Sequence, residues 1–518
     1  MKFKTPQLLL ALALLALPTQ ADFITGRVVD SFGVGVNGVD IDVKNLGGGG
    51  TPPIFNDGTD ALGNFVTTVP AGLYRVTFTP PIPPLSSHLV TEVEDVIIVG
   101  TKDMGTIVLP PGVLVSGSVR NPANLPIAGV NIDVIDLTTG ENLILAGDLS
   151  NAFGDFVVAA PAGPIELRLN PSGVLGPVLA PRALSLQLAG ATDVGTVKFE
   201  PGFRISGTVL GPGSVPIEDA DFDISQARTG DPLYTPDDNT DPFGAFSIVV
   251  PAGRFRAELC AVNGEQLVGR VIKNIAVNAD TNIGVLEMEA GVVLSGTVRA
   301  FDGATVAGAD VDADRSDGTP IHLCADNSDQ FGNYSVIVPS DVLSLEFDPP
   351  GFALPLGTQD VSGVNVVGNT VFNASLPACP FGTSVGTGTP GTGAMVPSLD
   401  PFGGAPRAGN TAYGLELSAG VGGGAGFLSL SLPPKFSSRS AFPNGQLFGV
   451  VTSPTVLSPK TKPLTGVAGV AGAGTAKFPM PVDSSMIGTS IVARAYVLDP
   501  VAAGGLASTN AVLVKFCE

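Results

Sequence analysis

The chain reads as all-β, a tandem array of four seven-stranded β-sandwich repeats followed by a distinct β-rich C-terminal module. Three observations predict this. Landmark motifs recur at spacings of 91, 90 and 89 residues, the mark of a repeated structural unit. Short alternating runs such as Phe246-Ser247-Ile248-Val249-Val250 and Asn131-Ile132-Asp133-Val134 stand between clusters of Gly, Pro, Asn and Asp. No long amphipathic segment with caps suggests a helix.

From the N-terminus, residues 1–21 read as a secretory signal peptide. Lys2 and Lys4 form a basic start, Leu8 to Leu17 is an apolar run of ten, and cleavage is expected after Ala21. The run is too short to span a bilayer, and no later one approaches the required length. The expected product is secreted, extracellular or at the cell surface, with no membrane insertion.

Four segments then open alike: Ile24-Thr25-Gly26-Arg27-Val28, Val115-Ser116-Gly117-Ser118-Val119, Ile205-Ser206-Gly207-Thr208-Val209 and Leu294-Ser295-Gly296-Thr297-Val298. Each continues to a Gly-x-aromatic motif, Gly63-Asn64-Phe65, Gly154-Asp155-Phe156, Gly244-Ala245-Phe246 and Gly332-Asn333-Tyr334. A Val-Pro-Ala-Gly turn follows at Val69–Gly72 and again at Val250–Gly253, with variants at Ala160–Gly163 and Val338–Asp341. The expected repeats are 22–110, 111–200, 201–290 and 291–376. Short boundaries such as Leu109-Pro110-Pro111-Gly112 leave little free linker, so a monomeric rod is expected.

These motifs resemble the carboxypeptidase regulatory-like domain. The likeness rests on opening Ser-Gly-x-Val, then Pro-Ile-x-x-Ala/Val, Asp-x-x-Gly-x-Phe and Val-Pro-Ala-Gly-x-Tyr/Phe. It covers about residues 22–376 and is carried best by Gly207 to Phe255. It implies a transthyretin-like seven-stranded sandwich, related in shape to some starch-binding and surface-adhesin modules. Such modules are accessories on many secreted proteins, so the resemblance speaks to fold more than to function.

Residues 377–404 read as an irregular Gly/Pro-rich lead-in. Residues 405–518 read as the C-terminal β module, with strands expected at Phe427–Leu432, Gln446–Val451, Ser490–Leu498 and Ala511–Phe516. This part is similar to C-terminal modules of secreted bacterial repeat proteins. Of the four cysteines, Cys379 and Cys517 bracket the module and are expected to pair. Cys260 and Cys324 fit a bridge and two buried thiols equally well. Cys-x-x-Cys is absent, which disfavours zinc and dithiol redox chemistry.

Composition narrows the function. A net charge of −21 argues against a broad nucleic-acid surface. With two histidines, His88 and His322, the chain has no means to repeat a His-based centre. Gly-x-Ser-x-Gly and His-Glu-x-x-His are absent. His322 stands two residues from Cys324, but no orienting third group or oxyanion hole is visible, so it reads as an incidental surface residue. The expectation is therefore not an enzyme but a non-catalytic binding, adhesive or spacer protein. Its partners would be extracellular matrix, polysaccharide or another cell-surface component, with carbohydrate a candidate ligand. The alternative is a secreted hydrolase with its site in residues 377–518.

Acidic residues in register raise calcium as a candidate ion. Strand pairs recur at Asp40 and Asp42, Asp221 and Asp223, and Asp310 and Asp312. Loop pairs recur at Asp57 and Asp60, Asp238 and Asp241, and Asp326 and Asp329. Calcium takes six to eight oxygens of this kind. The competing reading makes the strand residues a solvated face and the loop residues turn caps. The second repeat carries Asn131 with Asp133, and Asp148 with Asn151, and is the weakest candidate.

Overall fold

The computed structural model describes residues 22–48, 50–262, 264–431 and 460–518. The signal-peptide reading and the strand expected at 446–451 lie outside these residues. The fold is all-β. Among the described residues, helix is confined to three 3-10 turns of three residues each.

The first repeat shows how sequence becomes sandwich. Its strands are β1 (Phe23–Val29), β2 (Asp40–Asn45), β3 (Asn64–Thr68), β4 (Gly72–Thr79), β5 (Thr91–Ile98) and β6 (Thr101–Val108). They form two sheets, ordered β3-β1-β6 and β2-β4-β5. β1 runs antiparallel to β3 and parallel to β6, and the same first-to-last parallel pairing recurs in repeats two and four. Alternate residues face inward, so Ile24 and Val28 from one sheet meet Ile41, Val76 and Phe78 from the other. A short extra strand supplements this frame later in the chain, as at Glu141–Asn142 and Pro320–Ile321.

The opening glycine and the Gly-x-aromatic motif are two halves of one contact. Gly26 is the cross-strand partner of Phe65, Gly117 of Phe156, Gly207 of Phe246 and Gly296 of Tyr334. Each aromatic ring is buried and lies over its glycine. A Cβ at Gly207 would stand 2.8 Å from Phe246 Cζ and 2.5 Å from the Gly284 carbonyl oxygen. Any side chain there displaces the ring or the neighbouring backbone.

A turn sets the approach of that aromatic. Asp60 Oδ1 accepts from the backbone N–H of Leu62 and of Asn64, both at 2.8 Å. Two backbone bonds close the same turn, Asp60 N–H to Asn64 O and Gly63 N–H to Asp60 O. Asn151, Asp241 and Asp329 repeat the side-chain arrangement. The next glycine takes a left-handed φ of 81° at Gly63, and Gly154, Gly244 and Gly332 do the same. Just before the turn sits a buried hydroxyl. Ser150 Oγ donates to the Ile127 carbonyl and accepts from Val130 N–H, and Thr59 and Ser328 are bonded likewise. The Val-Pro-Ala-Gly element carries the chain from one sheet to the other. Its glycine has a positive φ in repeat two but not in repeats one or three, so Asp341 fills the position in repeat four without disturbing the strands.

Each repeat ends in a backbone clamp. Leu89 N–H donates to Pro110 O, and Gly112 N–H donates to Ser87 O. The pair recurs as Ala180 to Glu200 with Gly202 to Val178, as Val268 to Glu289 with Gly291 to Gln266, and as Gly357 to Pro377 with Cys379 to Pro355. At Gly112 a Cβ would meet Ser87 O at 2.6 Å and Ala160 O at 3.0 Å, one from each adjoining repeat. Gly202 and Gly291 are equally crowded, whereas the fourth clamp carries the buried Cys379.

By compactness the chain forms two units, and the division runs through repeat three. The first runs through repeats one and two to Thr208 and takes in Phe222–Ala257 and Ile272–Leu286. The second holds Val209–Asp221, Glu258–Val271 and everything from Glu287.

The C-terminal module packs a five-stranded sheet and a three-stranded sheet over Leu415, Leu417, Phe478, Ala495, Val512 and Phe516. Residues 377–404 are not an irregular lead-in: Thr383–Val385 and Ser398–Phe402 give one strand to each sheet. Strands of three and five residues carry too little alternation to stand out from the Gly and Pro around them. Arg407 seats the module on repeat four. Its guanidinium donates to the carbonyls of Pro349 and Gly351, lies 3.6 Å from Asp348, and stacks over Phe352.

Gly207→Val tests the glycine–aromatic pairing. It should destabilise the fold by about 1–3 kcal/mol through overpacking, measured as a lower urea midpoint. Valine at the exposed Gly173 position, which has open space and no positive φ, provides a control for substitution as such.

Candidate functional site

The turn that positions the buried aromatic also exposes an apolar side chain, one residue ahead of the turn glycine. These side chains are Leu62, Phe153, Phe243 and Phe331, at 66%, 72%, 76% and 62% exposure. Isolated exposed apolar residues are ordinary. Recurrence at one register, on a turn fixed by four hydrogen bonds, is not. In the first three repeats a second exposed apolar residue recurs at one register, Val34, Leu125 and Val215, and in the first two it lies on a segment packed against the turn. The contacts around Gly35 and Gly154 bring these segments together. The aromatics of Gly-x-aromatic belong to the core, as their strand positions imply. The exposed set carries a weaker sequence signal, its fixed place immediately before the glycine.

The predicted acidic residues divide into two groups. Asp60, Asp241 and Asp329 cap their turns, and hydrogen bonds from Asn64 hold the Asp60 carboxyl below its usual range. Asn151 does the same work without a charge. The strand residues face solvent in different company. Asp42 stands opposite Thr77 in repeat one, and Asp133 opposite Arg168 in repeat two. In repeat two Asn131 also donates its amide to Asp133. Asp221 and Asp223 lie on Asp221–Gln226, and Thr235 Oγ1 donates to Asp238. Burial raises the pKa of Asp40, with repulsion from Asp42 and Asp57 adding to it.

Repeat four concentrates the charge. Asp312 pairs with Glu346, and Glu346 with Asp360, giving three carboxylates in a row across three strands. Asp310 stands opposite Asp348. Like charges directly opposite destabilise a sheet. Partial burial followed by repulsion from Asp310, Asp326, Asp348 and Asp314 raises Asp312, and Asp310 is raised in the same way by burial, Asp326 and Asp348. Glu346 is pushed up to about 7, first by partial burial and then by Asp348, Asp360, Asp312 and Glu518.

The cysteines form two bridges, Cys260–Cys324 and Cys379–Cys517, each with Cα atoms 6.0 Å apart. His322 is not an incidental surface residue. It is half-buried, with Nε2 3.7 Å from Cys260 Sγ and 3.5 Å from Glu258 Oε2. The bond to Cys260 removes Cys324 as a nucleophile. In the C-terminal module, a groove is lined by Val421–Ala425, Ala468, Gly469, Leu498, Asp499, Pro500 and Gly505. Its one titratable lining residue, Asp499, accepts from the N–H and Oγ1 of Thr392 and from Val501 N–H. Those oxygens act as turn caps.

No protein-family model matches the chain, and no curated protein does. Solved structures with local likeness include the Bacillus anthracis TIE protein, at 11% identity over 66% of this chain and 68% of that one, with a TM-score of 0.16. The shaft pilin SpaA from Lactobacillus rhamnosus GG is 10% identical over 35% of this chain and 99% of its own, at 0.16. A streptococcal ancillary pilin is 10% identical over 52% and 98%, at 0.16. TM-scores this low carry no argument about function. Among the described residues, no helix is long and apolar enough to cross a membrane.

Glu346→Gln tests the acidic row. A folded-state pKa raised above the ordinary 4.5 means the charged form destabilises the fold, and that this cost disappears as pH falls through about 7 towards 4.5. The variant should melt higher than wild type at pH 8 and equally below about pH 4.5. Solvent screening keeps the gain modest.

Proposed function

We propose that this chain is a non-catalytic, exported repeat protein that binds or spaces at a cell surface. The segments 22–110, 111–200, 201–290 and 291–376 would act as carboxypeptidase regulatory-like modules, presented ahead of the 405–518 module. The observation that carries the reading is the recurrent solvent-facing side chain of the capped turn, Phe153, Phe243 and Phe331 with Leu62 in repeat one. A rigid turn presents an aromatic face at little entropic cost, and such faces suit polysaccharide or an apolar surface on a partner. The acidic balance of the chain favours neutral or cationic partners over nucleic acid. Against the hydrolase alternative stands the turn-capping role of Asp499.

Replacing Phe153, Phe243 and Phe331 together by Ser should abolish retention on the insoluble polysaccharides or matrix preparations that hold the wild type. The melting temperature should stay within about 2 °C, because exposed substitutions change stability little. Unchanged retention would sink the proposal, as would turnover that disappears on deleting 377–518.

Calcium is a second proposal, favoured by the unneutralised row in repeat four. The turn caps leave Asp40, Asp42 and Asp57, and Asp310, Asp312 and Asp326, as the oxygens most open to an ion. Millimolar calcium should raise the melting temperature of the full chain, and Asp310→Asn with Asp312→Asn should remove most of that rise. Asp133→Asn, opposite Arg168, should leave it intact. Absence of heat in calorimetric titration ends the idea.

A further inference from the structure

Two short motifs meet although 64 residues separate their cysteines: Glu258-Leu259-Cys260 and His322-Leu323-Cys324. Within each, the first and third residues point the same way, because side chains two apart on an extended chain share a face. Glu258 and Cys260 lie on Gly253–Cys260, and His322 and Cys324 follow Pro320–Ile321, which the bridge between Gly269 and His322 holds in place. The Cys260, His322 and Cys324 donor atoms all lie within 4.8 Å of one another. All three residues are half-buried.

We infer that Cys260, Cys324, His322 and Glu258 form a zinc site in the reduced chain, and that the disulfide is its alternative, metal-free state. Two thiolates, an imidazole and a carboxylate are the donor types zinc selects. Their spacing matches as well. With Zn–S near 2.3 Å and Zn–N or Zn–O near 2.0–2.1 Å, tetrahedral geometry sets ligand separations of about 3.6 Å for S to N, 3.4 Å for N to O and 3.8 Å for S to S. The observed Nε2 to Cys260 Sγ distance is 3.7 Å, and Nε2 to Glu258 Oε2 is 3.5 Å. The sulfurs must part from bonded contact to about that 3.8 Å separation, and the Glu258 carboxylate, which touches His322 but lies outside the close group of Cys260, His322 and Cys324, must swing in towards them, both by side-chain rotation.

The exchange balances. A dithiol reductant gives two electrons and two protons to the S–S bond and leaves as its own disulfide, so Cys260 and Cys324 become thiols. Zinc then binds as a dication and displaces both thiol protons to solvent, without changing oxidation state. The segments carrying the donors belong to adjoining repeats, so either state ties repeat three to repeat four. The absence of Cys-x-x-Cys does not argue against zinc here, because each segment supplies one cysteine and one other donor.

The test uses the full chain, reduced with a phosphine under nitrogen and titrated with zinc chloride against a chromogenic chelator. One zinc per reduced chain and none per oxidised chain is expected. Cobalt in place of zinc should give the intense visible bands of a tetrahedral site with thiolate charge transfer. Cys379→Ser with Cys517→Ser should keep the site, and Cys260→Ser with Cys324→Ser should lose it. His322→Ala and Glu258→Gln leave both cysteines in place and should each weaken zinc by roughly tenfold or more. Those two variants decide the matter if the cysteine variant fails to fold. Reduced wild type that takes up no zinc overturns the inference, whether it stays folded or not. So does equal affinity in His322→Ala and Glu258→Gln, which would reduce the site to two thiols.

Discussion

A glycine facing an aromatic ring across two antiparallel strands is the contact from which each repeat is built. At Gly207 and Phe246 the ring occupies the space a Cβ would need, so strand register and core packing are set together. A slip by one residue would turn Phe246 to solvent and put a side chain where only hydrogen fits. The capped turn before Phe246 and the buried hydroxyl before that turn serve the same end. They deliver the aromatic to its strand at one height, leaving few ways for the sandwich to close.

The same turn accounts for the division between structure and surface. Its Asp or Asn commits its side chain to backbone N–H groups, its glycine takes the left-handed conformation, and the residue before the glycine is left facing outward. Construction thus dictates where a binding residue can be placed without disturbing the core. That Phe153, Phe243 and Phe331 occupy this position means recognition and folding draw on adjacent residues with little competition. The acidic strands show the opposite arrangement. In repeat two, Asp133 stands opposite Arg168 and accepts a hydrogen bond from Asn131, whereas in repeat four Asp312, Glu346 and Asp360 stand in one row and tolerate their repulsion.

Much of the fold is legible in the residues themselves. The landmarks are local, so the period, the β class and the turn chemistry can be read from Gly63-Asn64-Phe65 and its equivalents. Which landmarks touch cannot, because Gly26 and Phe65 are joined by a strand pairing that leaves no mark on either neighbourhood. The backbone clamps are hidden for a similar reason: they use main-chain groups, and only the glycine at their end carries a signal. Strands at Thr383–Val385 and Ser398–Phe402 are too short to outweigh their Gly and Pro neighbours. Glu258, Cys260, His322 and Cys324 give no joint signal in the sequence, because their proximity arises from packing between repeats.

The clamps give the array a property of its own. Each begins and ends with the same two backbone bonds, and three of the four close on a glycine, so a segment cut from one junction glycine to the next carries matching ends. Duplication or loss of such a segment in the gene would recreate a junction that already fits, and repeat number becomes a quantity that recombination can change in whole steps. Two junctions are exempt from this interchange: the Cys260–Cys324 bridge spans the third, and the fourth does not close on a glycine. Cys379 fills the glycine position and is committed to Cys517, so the C-terminal module stays attached to whichever repeat comes last.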